Sequence, residues 1–272
     1  MGVLFVLAVI AAGFASGILS GMFGVGGAVL STPGVRLLGA TPIEAVGSTL
    51  PAILPGALSG AWHYRRAGLI EWRIAVASGV SGSVFAIGGA ELSDHIDAHY
   101  LMILTAALLL YAGLRNVGAQ ALAPIRVAVP VGGPPFDEWA ALDDANDGAR
   151  QSLLAIVVVG AASGALAGLL GVGGGLLLIP GYTVLLHLSA KRAVATSLVA
   201  VAMFSVPAMV THAALGHINW TFALFLMAGV VPGARLGARI TLTGSEARLR
   251  LLMGLFFTLL ALVYGGAELA AL

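Results

Sequence analysis

The feature that most constrains this chain is a stretch it contains twice. Residues 13–34 read GFASGILSGMFGVGGAVLSTPG and residues 160–181 read GAASGALAGLLGVGGGLLLIPG, with thirteen of the twenty-two positions identical at a constant offset of 147. Each copy has glycines four apart (Gly13, Gly17, Gly21; Gly160, Gly164, Gly168), then GVGG, then a short apolar run ending in Pro-Gly. Glycines at that spacing reduce one helix face to bare backbone, which lets helices approach closely in lipid. GVGG then ends the helix, because adjacent glycines disfavour it and admit positive φ. The chain must therefore build two related units, each with a helix break near its start.

Composition says where those units sit. Of 272 residues, 59% are hydrophobic and 9% charged, with mean hydropathy +1.02; a soluble domain carries about 25% charged residues. That polar surface cannot cover a water-facing body, so the expectation is an all-α polytopic membrane protein with the lipid bilayer as its surroundings. Ten apolar segments can be marked, at roughly 3–22, 27–39, 42–64, 73–92 and 99–117, then 151–170, 174–188, 190–214, 219–238 and 248–270. A spanning helix needs about 20 residues, so segments two and seven are short, and each is expected to pair with its predecessor as a broken or re-entrant hairpin. With no cysteine, disulfides and thiolate metal sites are excluded. A net charge of +1 argues against nucleic acid as a partner. The apolar start lacks a basic n-region and recurs inside the chain, which argues against a cleaved signal peptide.

Basic residues, which collect in cytoplasmic loops, test the pairing. If all ten segments alternate, twelve of the thirteen Lys and Arg fall on one side, with only Arg36 opposite. If segments one and two, and likewise six and seven, each form one broken spanning helix, the split is seven to six, with no bias. The hairpin reading follows. Five segments per unit then give two homologous halves in inverted topology, an arrangement recurrent in secondary transporters. The expected domains are a first transmembrane repeat at 1–118, a cytoplasmic linker at 119–149 with four prolines, and a second repeat at 150–272, with both termini outside.

GVGG lacks the strand–turn–helix setting of a dinucleotide site. In a membrane, the free N–H groups where it opens a helix carry positive partial charge and suit an anion. Gly26 and Gly27, with Gly173 and Gly174, are therefore candidate binding residues; the alternative is a tight turn kept for packing. Ser48 and Thr49 in segment three, and Thr196 and Ser197 in segment eight, each lie about 10 Å into their helices. They are expected to approach one central zone, or else to bond back to their own helix. Glu44 reads as the N3 residue of a Thr41-Pro42-Ile43-Glu44 capping box rather than a proton carrier. Arg36 would attract anions or snorkel, and His212 is a candidate for proton coupling. No histidine pair has metal-ligand spacing, and no catalytic triad or carboxylate pair is visible, so no catalytic residues, metal or cofactor are expected.

The doubled G-x-x-x-G-x-x-G-V-G-G-G/A motif with its Pro-Gly, together with ATSL (195–198), GHINW (216–220) and PGARLGARI (232–240), resembles the TauE/SafE family of sulfite and organosulfur-anion permeases. The first half has AVGSTL at 45–50 where the second has ATSL. The resemblance implies a bacterial inner-membrane permease for sulfite or an organosulfonate working by alternating access, not an enzyme, with H+ as a candidate coupling ion and homo-oligomerisation open. A non-transporting assembly subunit and a passive anion channel are the alternatives.

Overall fold

A computed structural model describes residues 3–93, 95–96, 153–171 and 173–269, with eight single positions between 100 and 114. The expected 119–149 linker lies outside the described residues, as does most of segment five. Nine helices are described: α1 Val3–Phe23, α2 Ala28–Leu37, α3 Pro42–Arg66, α4 Trp72–Ser93, α5 Leu153–Leu170, α6 Gly175–Val184, α7 Ala190–Ala214, α8 Trp220–Thr243 and α9 Glu246–Leu269. There is no strand among the described residues.

Five helices, α1, α4, α5, α7 and α8, are long and apolar enough to cross a membrane, and the protein is a multi-pass membrane protein. Their side chains are sorted for lipid. On α4, Val76, Val80, Val84, Phe85 and Ile87 are exposed, while Ser78, Gly79, Gly82, Ala86, Gly89 and Ala90 are buried. Large apolar groups thus face outward and small ones line the helix contacts, as packing without a water-driven hydrophobic effect requires. The 25 residues of α3 match α7 in length, but Gly, Ser, Thr and Pro run through its buried middle. It starts as the sequence predicts: Thr41 N–H donates to Glu44 Oε2 (2.9 Å), Glu44 N–H donates to Thr41 Oγ1 (3.3 Å), and Pro42 stands at N1.

The glycine ladders set the packing. Gly13, Gly17 and Gly21 of α1 lie against Leu226, Val230 and Ala234 of α8; Gly160, Gly164 and Gly168 of α5 lie against Ser78, Gly82 and Ala86 of α4. Numbers rise together in both sets, so each pair is parallel. The third helices follow the same partners. Ser48 bonds to Asn219 and Ser59 to Val231, aligning α3 with α8; Thr196 bonds to Glu71 and Met203 packs on Gly79, aligning α7 with α4. Each unit therefore lays its first and third helices along the other unit's fourth, and α3 touches α7.

A Cβ on Gly17 would lie 2.9 Å from Val230 Cα, whereas one on Gly88 meets nothing within 4 Å. Overpacking of that kind costs about 1–3 kcal/mol. Gly17→Ala is expected to lower the thermal midpoint in detergent, and Gly88→Ala to leave or raise it; equal responses would contradict this packing.

Candidate functional site

The two GVGG turns meet inside the protein. Gly24, Gly26 and Gly27 have φ of 68°, 84° and 86°, and Gly171, Gly173 and Gly174 have 62°, 80° and 61°, values that side-chain-bearing residues rarely adopt. A Cβ on Gly26 would lie 3.5 Å from Gly173 Cα, and one on Gly173 would lie 2.9 Å from Val25 O. Ile53 of α3 and Val201 of α7 flank this contact: the same Gly26 Cβ would meet Val201 Cγ1 at 2.8 Å and Ile53 Cγ2 at 3.2 Å. Gly27 is the N-cap of α2 and Gly174 that of α6, neither with a side-chain cap bond. Two helix starts thus lie one residue beyond the Gly26–Gly173 contact; at the second, Gly175 N–H donates to Gly173 O (2.7 Å) and Leu177 N–H to Gly174 O (3.2 Å).

Stopping α1 and α5 here leaves carbonyls that no water-filled loop can satisfy. For α1, Gly21 O accepts from Tyr64 Oη (2.7 Å), Met22 O from Thr241 Oγ1 (3.2 Å) and Gly24 O from Ser197 Oγ (3.0 Å). For α5, Gly168 O lies 2.9 Å from His212 Nε2, and Gly171 O accepts from Thr49 Oγ1 at 3.4 Å. The assignments correspond: each turn takes one donor from the end of its own third helix (Tyr64 or His212) and one from near the start of the other unit's (Ser197 or Thr49).

This places the predicted hydroxyls. Ser48, Thr49, Thr196 and Ser197 are all buried. Thr49 Oγ1 lies 2.9 Å from Val46 O of its own helix and 3.4 Å from Gly171 O. Ser197 Oγ lies 2.9 Å from Val194 O and 3.0 Å from Gly24 O, so each shares one proton between its own helix and the other repeat's turn. Ser48 Oγ accepts from Asn219 N–H (2.8 Å) and Thr196 Oγ1 from Glu71 N–H (3.1 Å), at the starts of α8 and α4. Thr49 and Ser197 stand at the two turns that meet at Gly26 and Gly173. The glycine contact, with Ile53 and Val201, lies between them. Arg36 stands in the last turn of α2, about 14 Å along the helix from Gly27.

His212 has a partner that the sequence did not pair with it. Its Nδ1 lies 3.0 Å from His217 Nδ1. With Gly168 O fixing a proton on His212 Nε2, the two facing nitrogens share one proton in the neutral pair. Also unanticipated is an ion pair between Arg192 and Glu71, beside the Thr196 bond. Half-exposed pairs of this sort contribute under about 1 kcal/mol. Among the described residues no group of three His, Asp or Glu could hold a metal. Tyr64, Thr241 and His217 gave no sequence signal, since their partners lie on other helices. A cluster of Ser16, Ser20, Ser31 and Thr32 at the first turn did give one: the second repeat has Ala167, Leu178 and Ile179 at three of the four positions.

Residues 9–264 match the family described as sulfite exporter TauE/SafE. The chain belongs to the TauE/SafE family. Among its relatives, the probable membrane transporter protein YunE of Bacillus subtilis (strain 168) is 26% identical, covering 93% of this chain and 96% of its own. The probable membrane transporter protein YdhB of the same strain is 28% identical over 84% and 87%. A probable membrane transporter protein of Xylella fastidiosa (strain Temecula1 / ATCC 700964) is 26% identical over 92% and 89%. No solved structure matches this TauE/SafE chain.

Removing a hydroxyl that holds a buried backbone N–H costs about 1–3 kcal/mol. Ser48→Ala and Thr196→Val are each expected to lower the thermal midpoint in detergent, while Ser83→Ala, whose hydroxyl returns to Gly79 O of its own helix, changes it little. Unchanged midpoints in both buried variants would contradict the bonding described.

Proposed function

We propose that this TauE/SafE protein is a secondary transporter for a small anion, sulfite or an organosulfonate, and that it works by alternating access. The observation that carries the reading is the contact between Gly26 and Gly173. It brings the starts of α2 and α6 into the protein interior, where helix-start N–H groups hold negative charge without an intramembrane cation. Gly26, Gly27, Gly173 and Gly174 form the substrate centre on this reading, with Ser48, Thr49, Thr196 and Ser197 on its two sides.

The inverted relation of the halves is part of the proposal. Gly34 approaches Ala12, and Ser31 bonds to Ser16, which supports α2 turning back along α1 as the arm of a re-entrant hairpin. With α1, α3 and α8 parallel and α4, α5 and α7 parallel, Arg65, Arg66, Arg73, Lys191, Arg192, Arg235, Arg239 and Arg248 gather at one end, and the basic-residue rule makes that end cytoplasmic. The termini and Arg36 then face outward from the inner membrane. Exchange between the two sides would be a rocking of the halves about the glycine contact, with the Glu71–Arg192 pair at the cytoplasmic end and the His212–His217 pair at the outer end. H+ coupling through His212 fits a proton shared between two imidazoles.

Flux in proteoliposomes tests this, using sulfite, sulfate, taurine and sulfoacetate with and without a proton gradient. Saturable sulfite or sulfonate flux with counterflow is the expected result. Flux linear in concentration without counterflow would make the protein a channel, and absence of flux for all four anions would contradict the reading.

A further inference from the structure

The two helix starts are not chemically alike. Positions Ser16, Ser20, Ser31 and Thr32 of the first repeat correspond, at the 147-residue offset, to Ser163, Ala167, Leu178 and Ile179 of the second. All four hydroxyl residues of the first repeat are buried, at 1% exposure or less. Buried hydroxyls are ordinarily bonded, yet Ser20 Oγ and Thr32 Oγ1 have no hydrogen-bond partner among the described residues. The lone counterpart Ser163 is also unpartnered, so the first repeat has two unpartnered hydroxyls among these positions where the second has one.

Ser20 faces the start of α2. A Cβ placed on Gly27, the N-cap, would lie 3.3 Å from Ser20 Cβ, 3.6 Å from Ser20 Oγ and 3.5 Å from Ser16 Oγ. The backbone differs as well. In the second repeat, Gly174 O accepts from the N–H groups of Leu177 (3.2 Å) and Leu178 (3.3 Å). In the first, Gly27 O accepts from the Ser16 hydroxyl, and Ser31 Oγ lies 3.1 Å from Gly27 O and 2.7 Å from Ser16 Oγ. The protons of the Ser16 and Ser31 hydroxyls are thus spent on Gly27 O and Ser16 Oγ, which leaves Ser20 as the unpartnered hydroxyl facing this start, and the first turn of α2 holds no acidic residue.

We infer that the substrate anion is held at the first repeat's turn, by the start of α2 together with the unpartnered hydroxyls of Ser20 and Thr32, and that the second turn supplies backbone only. This rests on the anion-transport reading above. The chemistry recognised is an oxyanion head, such as the –SO3 group that sulfite and sulfonates share. Unpartnered hydroxyl donors and a helix start match its acceptor oxygens and its charge. A cation would find the positive end of a helix, and Gly27 O already accepts from the Ser16 hydroxyl.

The test uses the full-length protein in detergent and in proteoliposomes, with radiolabelled sulfite and sulfoacetate as probes. Ser20→Ala and Thr32→Val are each expected to weaken binding of the transported anion by about tenfold or more, the loss of one hydrogen bond to a charged group. Because each removes an unpartnered buried hydroxyl, the anion-free thermal midpoint should hold or rise, which separates lost binding from lost folding. Ser163→Ala is expected to bind as the parent does. Parent-like affinity in the Ser20→Ala, Thr32→Val double variant, with parent flux intact, overturns the inference and leaves the transport reading standing. An equal loss in Ser163→Ala also overturns it. No binding or flux by the parent with either probe removes the transport reading and this inference together.

Discussion

A helix that ends in a buried, apolar interior leaves about four N–H and four C=O groups without helical partners, with no bulk water to take them. The rest of this structure is arranged around that debt at two places, Gly24–Gly27 and 171–174. The carbonyl side is met by side chains from three other helices: Tyr64, Thr241 and Ser197 for the first turn, His212 and Thr49 for the second. These donors can reach only if the helices carrying them lie close, which the glycine ladders permit by bringing α1 onto α8 and α5 onto α4 backbone to backbone. The N–H side is different. Neither Gly27 nor Gly174 carries a side-chain cap, and at the second start the N–H groups of Gly175 and Leu177 turn to the carbonyls of Gly173 and Gly174.

Interlocking follows from the same requirement. Ser197 belongs to one repeat and reaches the other's turn, and Thr49 does the converse, each also bonding back to its own helix. A rocking motion of one half against the other would therefore exchange hydrogen bonds at the turns themselves, coupling the closing of one side to the geometry of the centre. The ion pair of Glu71 with Arg192 and the imidazole pair of His212 with His217 stand at opposite ends of α7, where such exchanges would be felt first.

Much of this was legible in the chain. Apolar length and the doubled motif located the helices to within a few residues, and the Thr41–Glu44 box fixed the start of α3. Hydroxyls at Thr49 and Ser197 stood out because polar groups deep in apolar segments need a reason; each bonds back to its own helix, to Val46 O and Val194 O, and also reaches a carbonyl of the other repeat's turn. Depth along a helix gave each hydroxyl's level without giving its neighbour. Tyr64 and His217 were invisible for the same cause: tyrosine and histidine near a helix end read as interface residues until the partner is known. The serine cluster was readable, by setting Ser20, Ser31 and Thr32 beside Ala167, Leu178 and Ile179. Attention to what the repeats share concealed where they differ.

The central claim is that α2 turns back, so that the chain regains its starting side before α3 begins and the two turns come together from opposite faces. Because the chain has no cysteine, a single introduced thiol reports its own side of the membrane without background. In oriented vesicles, a membrane-impermeant maleimide should label Leu37→Cys and Leu215→Cys from one face, and Arg66→Cys and Ser245→Cys from the other. Labelling of Leu37→Cys and Leu215→Cys from opposite faces would make α1 and α2 one continuous crossing and contradict the account.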